Sequence, residues 1–386
     1  MQKFVSAIPL SLYIHLPWCV RKCPYCDFNS HEARQAIPED LYVQRLIQDL
    51  DEQLPTIWGR RLFSIFFGGG TPSLFSAKAI DQILTAVNSR LPFNSSLEIT
   101  LEANPGTVDE SRFAGFRQAG VNRLSIGIQS LQDEKLKILG RIHNREHAFR
   151  AIEIAQKMGF DNFNLDLMHG LPEQSVEEAL TDLRDAMALQ PKHLSWYQLT
   201  LEPNTLFHKQ PPTLPNEDVL WEIQEQGKIL LAEQGFKQYE VSAYSQPNRQ
   251  CDHNLNYWEF GDYLGIGAGA HSKITDMDQQ TIFRHWQVKN PRDYLDLTKS
   301  LTAEKRAITK EKDIIFEFML NALRLNNGVT IDLFQERTGL SLAVLEPMLT
   351  EVRKRNLLVA DPTYLRATEL GQRFLNDVVG LFLNGP

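Results

Sequence analysis

The first two hundred residues alternate short β-branched and aromatic runs with amphipathic helical stretches, and this alternation restricts the fold more than any other feature. Strands are expected at Leu12–Leu16, Phe63–Phe67, Leu97–Glu102, Arg123–Gln129, Asn162–Met168 and His193–Leu201. The spacing predicts helices at Pro38–Leu54, Ala77–Arg90, Val108–Ala119, Arg145–Met158 and Val176–Leu189, several followed by the Gly or Pro that ends a helix. Six βα units of this kind imply a parallel sheet with right-handed crossovers, either an open doubly wound sheet or a barrel, complete or partial. Polar residues cluster at the carboxyl ends of nearly every strand, which favours a barrel mouth. The expected class is α/β, a partial (β/α)6 barrel.

At 386 residues the chain has room for that barrel and one further unit. The barrel is expected to occupy residues 1–305, including a long helix from Asn216 to about Gln234 and an aromatic, Gly-rich extension near 237–290. A Lys- and Glu-bearing stretch at Ala303–Lys312 reads as a linker. The C-terminal unit, 306–386, reads as helices at Ile314–Leu325, Thr330–Thr338 and Leu342–Arg355, strands at Leu357–Ala360 and Tyr364–Ala367, and a last helix from about Thr368. That order is mainly helical and winged-helix-like, which raises DNA binding as one reading.

Charge opposes it. The chain carries 40 Lys plus Arg against 48 Asp plus Glu, a formal net charge of -8. Residues 328–386 hold six basic and seven acidic side chains, which is no phosphate-binding footprint, so no nucleic-acid partner is expected. Leu62–Phe67 is too short to span a membrane, and Leu10–Val20 is broken by His15 and Pro17. The N-terminus shows neither a basic n-region nor a small-residue cleavage site, so a soluble, cytoplasmic chain is expected.

Three of the four cysteines, Cys19, Cys23 and Cys26, fall within eight residues just after the first strand, as C-x3-C-x2-C in CVRKCPYC. This is poor material for a disulfide framework and good material for a metal centre. Three local thiolates leave one iron of a four-iron cubane free of protein, available to chelate the amino and carboxylate groups of S-adenosylmethionine. The competing assignment is zinc, completed by His15 or His31. Structural zinc sites more often use paired C-x2-C knuckles, so a [4Fe-4S] cluster is preferred.

With GGGTP after the second strand, this spacing resembles the radical S-adenosylmethionine superfamily. The strings YIHLPWCVRKCPYCDFNSH, GGGTPS, EANPGT, SIGIQS, GRIH, NLDLMHGLP and LSWYQLTLEPNT are similar to the family of oxygen-independent coproporphyrinogen III oxidase and its heme-chaperone homologue, across essentially the whole chain. The resemblance implies S-adenosylmethionine contacts from Tyr13, Tyr25, Gly69, Gly70, Thr71, Glu102, Gln129, Arg141 and Asp166, with Thr200 a weaker correspondence. The chemistry of these residues fits. Glu102 and Asp166 suit an ammonium or ribose hydroxyls, and Arg141 suits a carboxylate gripped by its fork. Tyr25 offers a flat face for adenine.

One departure separates the family's members. The oxidase has a further cysteine two residues after the third, and here that position is Phe28. The string HNLNYW resembles the heme-binding motif of the chaperone branch, which implies a heme site from His253, Asn254, Tyr257 and Trp258, with His253 on the heme iron. Cys251 offers a rival thiolate, and His271 in GIGAGAHS reads as a packing residue nearer the barrel. The resemblance thus implies a chaperone that carries heme to acceptor hemoproteins, respiratory and membrane-associated ones among them. The alternatives are oxidative decarboxylation of coproporphyrinogen III and, last, a DNA-binding sensor of redox state or S-adenosylmethionine.

Overall fold

The computed structural model describes residues 2–384. Six strands, β1 (Leu10–Leu16), β2 (Leu62–Gly69), β3 (Glu98–Ala103), β4 (Arg123–Gln129), β5 (Phe163–His169) and β6 (His193–Gln198), lie side by side in chain order, each pair parallel. Helices α1 (Glu39–Ile57), α2 (Ala77–Arg90), α3 (Glu110–Ala119), α4 (Arg145–Lys157), α5 (Val176–Ala188) and α6 (Glu217–Glu233) supply the connections and the outer layer. The strands are nearly continuous apolar runs because the helices cover one face and the barrel interior the other. Leu10, Leu12, Ile14 and Leu16 of β1 and Ile65 and Phe67 of β2 are fully buried in one large core with Ile80, Ile83 and Ile152 from the helices.

Local chemistry sets the helix starts. Ser76 caps α2 by accepting from Ala79 N, and Asp109 caps α3 by accepting from Arg112 N. Asn144 with His147, and Ser175 with Glu178, form reciprocal capping boxes on α4 and α5. Each such cap contributes about 1 kcal/mol and fixes where the chain leaves the strand-end loop. Gly120 stops α3 at φ 111°, in the left-handed region.

The extension after β6 does not stand apart from the barrel. Strands β7 (Lys237–Glu240) and β8 (Ala243–Ser245) add antiparallel to the β6 edge. Strand β9 (Asp262–Ile266) returns across the barrel and pairs parallel with β1, and β10 (His271–Asp276), β11 (Thr281–Gln287) and β12 (Thr302–Ile308) continue antiparallel from it. The result is one twelve-stranded sheet in the order β12-β11-β10-β9-β1-β2-β3-β4-β5-β6-β8-β7. The stretch read as a linker is therefore largely strand. Glu304, Lys305 and Arg306 of β12 are solvent-facing charges on a sheet edge, where they discourage pairing with other chains, and such a strand looks like a polar connector in sequence.

The C-terminal unit carries α8 (Glu311–Ala322), helices at Ile331–Thr338 and Glu346–Lys354, and a small sheet from Val329–Thr330 and Tyr364–Leu365. The strand expected at Leu357–Ala360 shrinks to a single bridge, Leu358 to Ala367. Its core is continuous with the sheet extension: Phe318 meets Phe260 at 5.7 Å and Phe334 at 5.2 Å between ring centres. Each buried aromatic contributes roughly 1.5–3 kcal/mol, so this contact ties the unit to the barrel. Among the described residues no helix is long and apolar enough to cross a membrane.

Candidate functional site

All six parallel strands point their carboxyl ends at one mouth, and the loops there enclose a cavity of about 380 Å³. Cys19, Cys23 and Cys26 open on it as half-buried free thiols, carried by the loop that leaves β1. The Cys19 Sγ accepts a hydrogen bond from the Thr71 hydroxyl at 3.4 Å, and Cys26 Sγ and the Ser30 hydroxyl are 3.6 Å apart. Burial raises the Cys19 thiol above its usual pKa, against the lowering pull of Thr71. Both nitrogens of His15 are committed, to the Tyr13 hydroxyl at 2.9 Å and the Asn29 carbonyl at 3.0 Å, while His31 Nε2 meets Asn29 Oδ1 at 3.2 Å. Neither imidazole completes a fourth position beside the thiols. Among the described residues no three Cys, His, Asp or Glu side chains converge on a point, as one ion requires. A cubane offers each thiolate its own iron, so this donor set fits a cluster.

The glycine turn after β2 holds its shape for steric reasons. Gly69 has φ 117°, and a Cβ there would lie 2.6 Å from the His15 ring; a Cβ on Gly70 would lie 2.5 Å from the Trp18 carbonyl oxygen. The Gly69 amide donates to Glu102 Oε2 at 3.2 Å. Burial, aided by the nearby Asp166 carboxylate, pushes the Glu102 carboxyl up to about 8. Asp166 is also raised, by burial first, although it accepts from the Ser125 hydroxyl at 3.0 Å and from Asn164 Nδ2 at 2.8 Å. Two acids held this close in a poorly hydrated pocket favour a cationic group between them.

Arg141 lines the same cavity, anchored on the strand beside Asp166. Its Nη2 donates to the Gly127 carbonyl at 2.6 Å, and its Nη1 lies 3.6 Å from Cys23 Sγ and 3.5 Å from the Tyr25 hydroxyl. Its buried Nε has no partner among the described residues, so donor capacity is left for an anion. Gln129 sits beside it with φ 72° at a bulge in the β4–β5 pairing, a strained backbone that turns the side chain into the cavity. Tyr25, Gly69, Gly70, Thr71, Glu102, Gln129, Arg141 and Asp166 thus line one space, with Thr200 at its edge. An acid pair and an arginine beside three thiols could receive a ligand that carries both an ammonium and a carboxylate.

Tyr13 lies elsewhere. It lines a second cavity of about 610 Å³ that shares Asp27, Phe28, Gly69 and Glu102 with the first. Sequence reasoning missed Tyr197, which lines the first cavity with its hydroxyl 3.5 Å from Asp166 Oδ1, and the Ser125 and Asn164 supports of that carboxylate. Tyr197 left one signal, its place at the carboxyl end of the sixth strand; Ser125 and Asn164 look like ordinary strand residues.

The HNLNYW string folds as a short helix, α7 (Asp252–Trp258), packed against β2. Residues four apart share a face, so its side chains divide. His253 and Tyr257 turn into the barrel: the His253 ring stacks on Phe66 at 4.8 Å and its Nδ1 meets the Ser64 hydroxyl at 3.1 Å. Burial pulls its pKa down to about 3, so it is neutral. Tyr257 stacks on Tyr263 at 4.2 Å and lines the second cavity. Asn254 and Trp258 turn the other way, Asn254 Nδ2 donating to the Tyr239 hydroxyl at 3.3 Å and Trp258 lying under Arg324 at 4.2 Å. Cys251 is buried with its thiol donating to Glu98 at 3.4 Å, away from both cavities.

Residues 13–186 match the Radical SAM superfamily and residues 310–374 the HemN C-terminal domain. The chain is similar to the heme chaperone HemW of Escherichia coli K12, 52% identical with 98% of this chain and 99% of that one covered. It is similar to the heme chaperone HemW of Haemophilus influenzae Rd at 50%, covering 97% and 98%. Among solved structures, coproporphyrinogen III oxidase (HemN) from Escherichia coli superimposes with a TM-score of 0.82 over 98% of this chain and 91% of that one, at 23% identity, a likeness of fold. Since relatives at half identity or better align end to end, the chain belongs to the family of the heme chaperone HemW, within the radical S-adenosylmethionine superfamily.

Proposed function

We propose that this chain binds heme and passes it to acceptor hemoproteins in the cytoplasm or at the membrane surface, respiratory ones among them, while carrying a [4Fe-4S] cluster and S-adenosylmethionine. The observation that carries the reading is the adjacency of the two cavities: the thiol-lined space shares Asp27, Phe28, Gly69 and Glu102 with a second one walled by Tyr257 of HNLNYW. Cys19, Cys23 and Cys26 would hold the cluster, which when bound supplies an open iron and a single-electron donor. Glu102 and Asp166 would receive the amino end or ribose of S-adenosylmethionine, Arg141 its carboxylate and Tyr25 its adenine. The α7 segment, with His253, Asn254, Tyr257 and Trp258, is the heme-associated element.

Phe28 supports this reading over coproporphyrinogen oxidation. It places an exposed aromatic ring, 63% accessible, on the wall between the cavities, where the oxidase has a thiol. The test is direct. The anaerobically reconstituted chain is loaded with heme and mixed with a heme-free cytochrome, and the acceptor's own Soret band is followed; coproporphyrinogen, reductant and S-adenosylmethionine are supplied in a parallel assay. Transfer without turnover supports the chaperone reading, and turnover without heme binding replaces it with the oxidase.

A further inference from the structure

A line of buried polar side chains runs from the thiol-lined cavity to α7. Asn164 precedes Asp166 by two residues on β5, so both stand on one face, and Asn164 is the register partner of His193 on β6. Asn164 Nδ2 donates to Asp166 Oδ1 and to the Ser125 hydroxyl, each at 2.8 Å, and Ser125 in turn donates to Asp166 Oδ2 at 3.0 Å. Asn164 Oδ1 accepts from the Ser195 hydroxyl at 3.1 Å and lies 2.7 Å from His193 Nδ1. On its other side His193 Nε2 is 2.8 Å from the Tyr239 hydroxyl of β7. That hydroxyl accepts from Asn254 Nδ2 at 3.3 Å and from the Cys251 amide at 3.4 Å, where α7 begins.

The donor and acceptor count gives this chain a direction. Both amide hydrogens of Asn164 are spent, so its oxygen faces His193 and Nδ1 carries the proton. Burial, with the Arg123 guanidinium nearby, holds His193 well below its ordinary pKa, so the ring is neutral and Nε2 accepts from the Tyr239 hydroxyl. Every bond from Asn254 onward thus donates toward the Asp166 carboxylate. Aligned bonds polarise one another, so the pull of that carboxylate strengthens the hold on α7 at the far end.

Glu98 on β3 holds the same helix end. It accepts from the Asp252 and His253 amides at 3.3 Å each and from the Cys251 thiol at 3.4 Å. Between the two ends sits Arg123, buried on β4, 3.8 Å from Glu98 and near enough to act on Asp166 as well. These contacts set the angle of a seven-residue helix whose His253 is enclosed by Phe66, Tyr257 and Ser64. An iron ligand needs an open nitrogen, so loosening α7 favours heme.

We propose that His193 and Tyr239 are positioning residues that couple the two sites: a ligand that engages Asp166 draws on its carboxylate, relaxes the chain and raises the affinity of α7 for heme. The inference rests on the reading that Asp166 receives S-adenosylmethionine and that α7 is the heme-associated element. Coupling of this kind is reciprocal, so heme must raise the affinity for S-adenosylmethionine by the same factor.

The full chain, with its cluster reconstituted and no reductant present, is titrated with ferric heme by Soret absorption, with and without saturating S-adenosylmethionine. S-adenosylmethionine binding is measured by equilibrium dialysis with and without heme. In the wild type each ligand is expected to tighten the other at least about fivefold. Tyr239→Phe, which removes one oxygen atom, and His193→Phe should each reduce both factors to about twofold or less, with iron and sulfide content unchanged. Tyr244→Phe, which removes a hydroxyl from β8 outside the chain, should keep both factors. Factors unchanged in Tyr239→Phe would overturn the inference, as would a wild type that binds both ligands without tightening either. A wild type that binds S-adenosylmethionine and no heme removes the functional reading and this inference together, an outcome distinct from two independent sites.

Discussion

The two adjoining cavities share the cysteine loop and strand ends but differ in what completes them. The first is small and ionic: three thiols, two acids with raised pKa values and an arginine with a spare donor meet where parallel strands end. The second carries four aromatic rings, Tyr13, Phe28, Tyr257 and Tyr263, beside four charged side chains, and it forms where the cysteine loop and the ends of β1, β2 and β3 meet the short helix α7 and the strands added beyond β1. Parallel strands deliver their carboxyl ends to one place, so a site there is assembled from strand-end loops, one motif per strand. The second cavity adds to those strand ends the α7 residue Tyr257 and side chains such as Tyr263 and His271 from the strands beyond β1.

The largest effect that would break this contrast concerns the thiols. Cys19→Ala, Cys23→Ala or Cys26→Ala should abolish cluster assembly, read as loss of iron, sulfide and the broad visible absorption that bleaches on reduction. Cys251→Ala should keep all three, because that thiol is buried against Glu98. Stoichiometric zinc without sulfide in the wild type would show that the ionic cavity holds a single ion.

Next in size is the acid pair. The Glu102 carboxyl is raised from the ordinary range to about 8 in the folded chain. Such a group favours the fold while protonated, and that contribution is lost as pH rises through about 8. Glu102→Gln, which stays neutral, should therefore resist unfolding better than the wild type above pH 8 and about equally at pH 5, in denaturant titrations without ligand. The difference is at most about 5 kcal/mol, less where water reaches the carboxyl. Identical pH profiles would show that the pocket is better hydrated than its geometry implies.

A smaller loss belongs to binding. Arg141→Ala and Asp166→Ala should each weaken S-adenosylmethionine binding tenfold to a hundredfold with the cluster retained, since a charge-assisted hydrogen bond is worth about 1.5–3 kcal/mol. Calorimetric isotherms equal to wild type would detach the ligand from this wall.

The smallest expected effect tests whether the C-terminal unit braces the aromatic cavity. Arg284 contacts the Tyr263 hydroxyl and pairs with Glu317 on α8 at 2.5 Å. Glu317→Gln should lower stability by about 1 kcal/mol and loosen heme binding more than S-adenosylmethionine binding. Equal loss of both ligands would mean that the unit braces the barrel as a whole.

The first cavity was legible because its parts are local. Arg123–Gln129 and Ala77–Arg90 fold over the very residues their patterns mark, and the spacing of Cys19, Cys23 and Cys26 needs no partner to be read. Tyr197 escaped notice because an aromatic at a strand end looks like core until its hydroxyl is found beside Asp166.

By itself, then, the sequence determined six βα units, the thiol loop and the acids and arginine that follow successive strands, because helix and strand periods are written in neighbouring residues. Tertiary structure decided that β9 returns to pair with β1, that Ala303–Ile308 is an edge strand, and that α7 sends His253 inward and Trp258 outward. It also decided that His271, which reads in sequence as packing, stands open on a cavity while His253 is enclosed. The physical reason is range: Tyr13, Gly265, His271 and Trp286 become neighbours only through backbone register between distant strands, and no local pattern records which face of a sheet that register will expose.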